Sequence, residues 1–160
     1  MAGGINEFVG QFTGGGARPN RFEVTLGGGG GNTHFYCKAA SLPASTMGKC
    51  EVPYMSRVVV YEGDRTFADW TVTVYNDLDF GVRDSLIQFM ENRNGHEDNA
   101  GRHVYIENTE VRQLSRQNIV RKTYKFTNLI ITEVGEIALA WDSNDQVEEF
   151  EVTMAYNYWT

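Results

Sequence analysis

Alternation of apolar and polar residues is the feature that most narrows what this chain can become. Near its end, Phe150, Val152, Met154, Tyr156 and Tyr158 alternate with Glu149, Glu151, Thr153 and Asn157. Successive side chains of a strand point to opposite faces, so the pattern predicts a strand with one face buried. Trp70, Val72 and Val74 alternate with Thr71 and Thr73, and Phe22, Val24 and Leu26 with Arg21, Glu23 and Thr25. After Gly27 to Gly31 the period returns in Phe35, Cys37 and Ala39, which predicts a hairpin between these two segments. A second hairpin is expected between Arg102 and Ile131, its arms Val111 to Arg116 and Ile119 to Ile131 meeting at Gln117-Asn118.

One segment changes period. Val82, Leu86, Phe89 and Met90 recur at the spacing of a single helix face, and this predicts one short helix packed on the strands. Asp77 or Asp79 is placed to cap its start and Asn94-Gly95 to end it. The stretch from Pro43 to Arg57 has two prolines and no sustained alternation, yet it carries Met47, Val52, Tyr54 and Met55. An apolar loop of this length is more often functional than incidental.

Eleven of the 17 glycines fall in the first 31 residues, and such a stretch is costly to order. Residues 1–17 are therefore expected to form a flexible arm, with Ile5, Phe8, Val9 and Phe12 as its apolar anchors, and residues 18–160 a single domain. With 41% hydrophobic and 22% charged residues, the chain has the composition of a globular protein. Its apolar runs, such as Val58 to Tyr61, fall far short of the roughly 20 residues that a membrane helix needs, so no membrane insertion is expected. The N-terminus lacks a basic start followed by an apolar stretch, so synthesis is expected to end in the cytosol, with Cys37 and Cys50 reduced. A net charge of -7 disfavours tight nucleic-acid binding, yet a surface past which DNA slides should repel it.

Candidate chemistry is sparse. The five-glycine run continues into Asn32-Thr33-His34 and lacks the Gly-Lys-Ser/Thr ending that grips phosphate. Asp77, Asp79 and Gly81, and Asp142 to Asp145, imitate parts of a calcium loop without its remaining ligands, and read as a helix cap and a turn. His34, His96 and His103 are not spaced as ligand pairs and neither cysteine sits in a Cys-x-x-Cys arrangement, so no metal or cofactor is expected. No nucleophile signature is present, and the chain is read as non-enzymatic. Glu149 and Glu151 share one polar strand face, which on the residues alone fits an ordinary solvent-facing side.

Several strings form a set: Ala17-Arg18-Pro19-Asn20, Phe35-x-Cys37-Lys38-Ala39, Leu42-Pro43-Ala44, Gly63-Asp64-Arg65-Thr66-Phe67-x-Asp69-Trp70, Val134-Gly135-Glu136, Trp141-Asp142-Ser143-Asn144 and the closing Tyr158-Trp159. In order and spacing this set resembles the tail tube proteins of T-even-type contractile bacteriophages from Ala17 to Trp159. The glycine-rich arm, Gly27 to Gly31 and Asn94 to Asn108 depart from the family's pattern.

The resemblance implies a mainly β fold, an antiparallel sandwich or barrel-like domain with one flanking helix. Hexameric rings would stack into a tail tube around a continuous inner β-barrel, the conduit for DNA ejection. Twenty-four strands spaced about 4.8 Å and tilted about 45° give a backbone radius of about 26 Å, wide enough for hydrated duplex DNA. Glu149, Glu151 and Thr153 would then be lumen-facing. Leu42, Pro43, Met47, Val52, Pro53, Tyr54, Met55 and Arg57 would reach the next ring; Phe8 and Phe12, read from the residues and not from the resemblance, are expected to anchor the arm on a neighbouring molecule. Asp64 and Arg65 are expected at a tight turn and Asp69 and Trp70 at a strand start, an ion pair of either aspartate with an arginine remaining open; Trp141, Asp142 and Trp159 complete the family motif. Implied partners are copies of itself, the tail sheath, the baseplate tube initiator, the tail terminator, the tape-measure protein and DNA as conducted cargo. The implied location is the virion, after assembly in the bacterial host cytoplasm. The alternative is a tube or baseplate-tube subunit of a phage-derived contractile injection system.

Overall fold

The structure is a computed structural model, and it describes residues 4–11, 16–27, 37–92, 105–143 and 145–160. In chain order the elements are α1 (Ile5–Gln11), β1 (Phe22–Thr25), β2 (Cys37–Ala40), β3 (Thr46–Tyr54), β4 (Arg57–Thr66), β5 (Trp70–Tyr75), α2 (Gly81–Glu91), β6 (Glu110–Leu114), β7 (Val120–Thr127), β8 (Ile130–Val134), β9 (Glu149–Ala155) and β10 (Tyr158–Trp159). The strands form two four-stranded sheets, ordered β1-β6-β7-β10 and β2-β5-β9-β8, and a separate two-stranded ribbon of β3 and β4. Every pairing is antiparallel.

Alternation along the central strands places the core. Trp70, Val72 and Val74 lie opposite Met154, Val152 and Phe150, and all six are buried. Val24, Val111 and Phe126 of the other sheet belong to the same buried cluster, and the Trp70 and Phe126 rings stack with centroids 4.4 Å apart. The buried Trp70 indole keeps its polar handle satisfied by donating to the Ser41 carbonyl at 2.8 Å. Each fully buried aliphatic side chain in such a layer contributes about 1.5–3 kcal/mol relative to exposure.

Helix α2 buries Val82 and Leu86, while Phe89 and Met90 pack partly buried against the core, as their spacing predicts. Arg83 ties it down: its guanidinium lies 5.1 Å from the centre of the Phe150 ring and donates to the Gly135 carbonyl at 2.8 Å. The expected aspartate cap is absent. Phe80 occupies the cap position with φ 56°, no side chain caps the helix, and Asp77 contributes through its carbonyl, which accepts from the Phe80 amide at 3.1 Å. At the other end Asn92 caps the helix with right-handed backbone, and Asn94-Gly95 lie outside the described residues.

Four further expectations need correction. The segments around Phe22 and Cys37 do not form a hairpin: β1 pairs with β6 and β2 with β5, because alternation marks which face is buried and not which strand is the partner. Ile119 to Ile131 is not one strand. The chain leaves the sheet after Thr127, turns at Asn128 with φ 55°, and enters the other sheet as β8; asparagine tolerates this left-handed conformation better than most residues. The last alternation is likewise divided, since β9 ends at Ala155 and Tyr158 belongs to β10. Pro43 to Arg57 is largely not a loop, because Thr46 onward forms β3 and Met55-Ser56 make a two-residue turn into β4. Positive φ at both, 45° and 62°, is what a hairpin turn matching strand twist requires.

The β6–β7 hairpin does form where expected, with Asn118 at φ 58° in its turn. In the segment read as an arm, α1 carries no buried residue. Phe12, Phe35 and the three histidines lie outside the described residues.

Candidate assembly surfaces

The β3–β4 hairpin stands apart from both sheets. Its strands pair only with each other among the described residues, and every residue of both strands is exposed except the half-buried Gly63. Opposed residues of an antiparallel pair share a face, so register sorts the side chains. Cys50, Val52 and Tyr54 lie with Tyr61, Val59 and Arg57 on one face, and Lys49, Glu51 and Pro53 with Glu62, Val60 and Val58 on the other. The first face is almost wholly apolar, and the tip is apolar on both. A nine-residue strand extends about 30 Å, so the hairpin carries this surface well beyond the body. The expected reaching residues Met47, Val52, Pro53, Tyr54, Met55 and Arg57 all lie on it, while Leu42 and Pro43 sit in the connection from β2. Exposed apolar area of this extent marks a contact surface.

Gly63-Asp64-Arg65 is not the expected tight turn; it lies within β4, opposite the register shift between Met47 and Lys49. There the strands approach so closely that a Cβ on Gly63 would lie 2.9 Å from the Gly48 carbonyl carbon. Asp69 precedes β5, which begins at Trp70 as expected, and neither Asp64 nor Asp69 pairs with an arginine among the described residues.

The base of the hairpin is fastened to the C-terminus, a connection the sequence did not signal. The Arg65 guanidinium lies between two rings, 5.1 Å from the centre of Phe67 and 5.7 Å from that of Trp159, and donates to Ser45 Oγ at 3.2 Å. Trp159 donates from its indole nitrogen to the Ala44 carbonyl at 3.4 Å, and Tyr124 meets it edge-on at 5.3 Å. Both hairpin roots thus converge on one aromatic side chain of β10.

The outer face of the β2-β5-β9-β8 sheet brings together the residues expected to line a channel. Tyr75, Thr73 and Thr71 of β5 lie opposite Glu149, Glu151 and Thr153 of β9, and Glu133 of β8 lies opposite Thr153. Glu149 and Glu151 are exposed and Thr153 is half-buried. Among the described residues one cation meets this carboxylate row: Lys38 pairs with Glu149 and lies 5.8 Å from the centre of the Tyr75 ring. The hydrogen bond to Glu149 raises the Lys38 ammonium above its usual range. The outer face of the other sheet is balanced instead, Arg112 pairing with Glu23 and Glu110, and Glu110 lying opposite Lys125. The outer edges of β2 and β8 carry no partner strand among the described residues.

Burial pushes the Cys37 thiol up to about 11, leaving it un-ionised and poorly nucleophilic near neutrality. Among the described residues no group of three or more histidine, cysteine, aspartate or glutamate side chains could hold a metal ion, and no helix is long and apolar enough to cross a membrane.

A family model described as phage tail tube protein matches residues 17–160. The chain is 42% identical over 147 residues to the tail tube protein gp19 of Enterobacteria phage T4, covering 89% of this chain and 90% of that protein. It is 25% identical over 165 residues to the tail tube protein of Serratia phage KSP90, covering 95% and 93%. Among solved structures it is similar in fold to a chain of the extended sheath-tube complex of an extracellular contractile injection system, with TM-score 0.71 at 12% identity over 99% of this chain and 97% of that one. A chain of the anti-feeding prophage baseplate gives TM-score 0.67 at 10% identity, covering 91% and 94%.

Proposed function

Because the chain belongs to the phage tail tube protein family and is a structural component of a contractile phage tail, we propose that six copies close into a ring and that stacked rings form the conduit for DNA ejection. The observation that carries this reading is the β2-β5-β9-β8 sheet, which combines an outer carboxylate row with two edges that are unpaired among the described residues. Pairing β2 of one copy with β8 of the next would cap both edges and join the sheets into one wall. Glu133, Glu149 and Glu151 would then face the bore, where their charge repels phosphates and leaves DNA hydrated and mobile.

The β3–β4 hairpin is the element that reaches the adjacent ring, and the apolar residues of α1, including Phe8, anchor residues 1–17 on a neighbouring copy. Residues 18–160 act as one domain, with no catalytic role. Assembly takes place in the host cytoplasm, and the finished tube meets the sheath outside, the baseplate initiator and terminator at its ends, and the tape-measure protein during growth. The injection-system alternative rests on likeness of fold alone, whereas 42% identity ties the chain to phage tubes.

Negative-stain electron microscopy across a protein concentration series tests the reading. Hollow rings or tubes with a central bore are expected. A chain that stays monomeric at every concentration, even with preformed tail ends as seeds, would refute self-assembly.

A further inference from the structure

Two surfaces serve none of these roles. The first is a groove of about 490 Å³ beside the β6–β7 turn, lined by Arg18, Arg21, Arg116 and Arg121 with Gln113 and Gln117 among its other residues. Four guanidinium groups share it with no carboxylate in its lining, in a chain whose net charge is -7. Arg21 shapes the groove, donating to the Arg116 carbonyl at 2.9 Å and to Asn118 Oδ1 at 3.3 Å. Arg18, Arg116 and Arg121 are exposed and enter no ion pair among the described residues.

The second is the turn between β8 and β9. Trp141 is 102% exposed, Leu139 80% and Val147 65%. Asp142 and Asp145 beside them are exposed and unpaired among the described residues.

We propose that the arginine groove of one copy receives the turn carrying Trp141, Asp142 and Asp145 of another copy, as a plug in a socket. The chemistry is complementary in both components: guanidinium planes stack on an indole face, and their N–H groups pair with carboxylates. Tryptophan and arginine are also the side chains most enriched where binding energy concentrates in interfaces. A second copy fits the groove because this acidic chain offers, on an otherwise uncovered turn, the aromatic and carboxylate groups that the groove accepts. The proposal rests on the self-assembly reading above.

Reciprocal charge reversal tests it. Arg116→Glu with Arg121→Glu should raise the concentration at which tubes appear at least about tenfold, since like charges would then face each other across the contact. Asp142→Arg with Asp145→Arg should do the same, and all four changes together should restore assembly. All four positions are exposed, and circular dichroism with gel filtration verifies that each variant is folded. Either double variant assembling like the unaltered chain, or the fourfold variant remaining a folded monomer, would overturn the proposal. So would arginine reversal that spares assembly and changes only DNA retention by the tubes, which would assign the groove to a polynucleotide backbone. An unaltered chain that never self-associates would instead refute the self-assembly reading, and this contact with it.

Discussion

Arg65 lies over Trp159, its guanidinium carbon 5.7 Å from the ring centre, and this contact joins the long hairpin to the last strand of the chain. The two residues are 94 positions apart in sequence. The hairpin pairs with no other strand among the described residues, so its direction depends on its roots, and both roots meet at Trp159.

A double-mutant cycle on Arg65→Ala and Trp159→Ala should therefore give a coupling of about 0.5–1 kcal/mol in urea unfolding, the range for a cation over an aromatic face at an exposed site. Hydrogen exchange in β3 and β4 should quicken in both single variants. Additive effects with unchanged exchange would show that the contact does not orient the hairpin.

Val59→Asp tests the hairpin as an assembly element. Val59 is 40% exposed and touches the body through no strand pairing, so the isolated chain should keep its stability within about 0.5 kcal/mol. Tube formation should fail if the hairpin reaches the adjacent ring as proposed, because a carboxylate would then replace apolar surface at that contact. Thermal unfolding and electron microscopy on the same sample read the two effects separately.

Charge on the sheet wall has its own test. Glu133→Lys with Glu151→Lys should leave tubes intact but make them retain DNA at low salt and release it as salt is raised. DNA retention on filters across a salt series measures this. Tubes that retain no DNA after the change would place these side chains away from the bore.

The two thiols should differ in reactivity. At pH 8 an alkylating reagent should modify exposed Cys50 well before Cys37, whose thiol is half-buried and pushed up to about 11. The sign of the linked stability change follows. In the unfolded chain Cys37 ionises near 9 and in the folded chain near 11, so the folded state holds the extra proton and stability falls as pH rises through that window. Cys37→Ser should flatten that part of the profile in urea titrations between pH 8.5 and about 10.5.

How much of this was legible depended on whether a residue's burial differed from that of its neighbours. Trp70, Val72 and Val74, and Phe150, Val152 and Met154, announced themselves because one face of each strand is buried and the other is not. The hairpin escaped as a strand pair because neither face is buried within one copy, so Val58 to Tyr61 and Val52 to Tyr54 carry no alternation. Met47, Val52 and Met55, apolar residues with no place in a monomer's core, nevertheless marked the segment as functional, and only the family resemblance suggested that it reaches a neighbouring ring. Pairing between strands distant in sequence, such as β1 with β6, is a property of the whole sheet and leaves no local trace, unlike the hairpin of β6 and β7. Phe80 was missed as the helix boundary because its left-handed backbone caps through conformation, whereas Asp77 and Asp79 carry the usual chemical signal. The contact of Arg65 with Trp159 depends on tertiary folding alone.

The most direct test of the central claim is electron cryomicroscopy of assembled tubes at a resolution that separates strands. Sixfold rings are expected, with β2 of each copy paired to β8 of the next and Glu133, Glu149 and Glu151 lining the bore. A bore lined by the β1-β6-β7-β10 sheet, or a ring closed without that strand pairing, would contradict the claim.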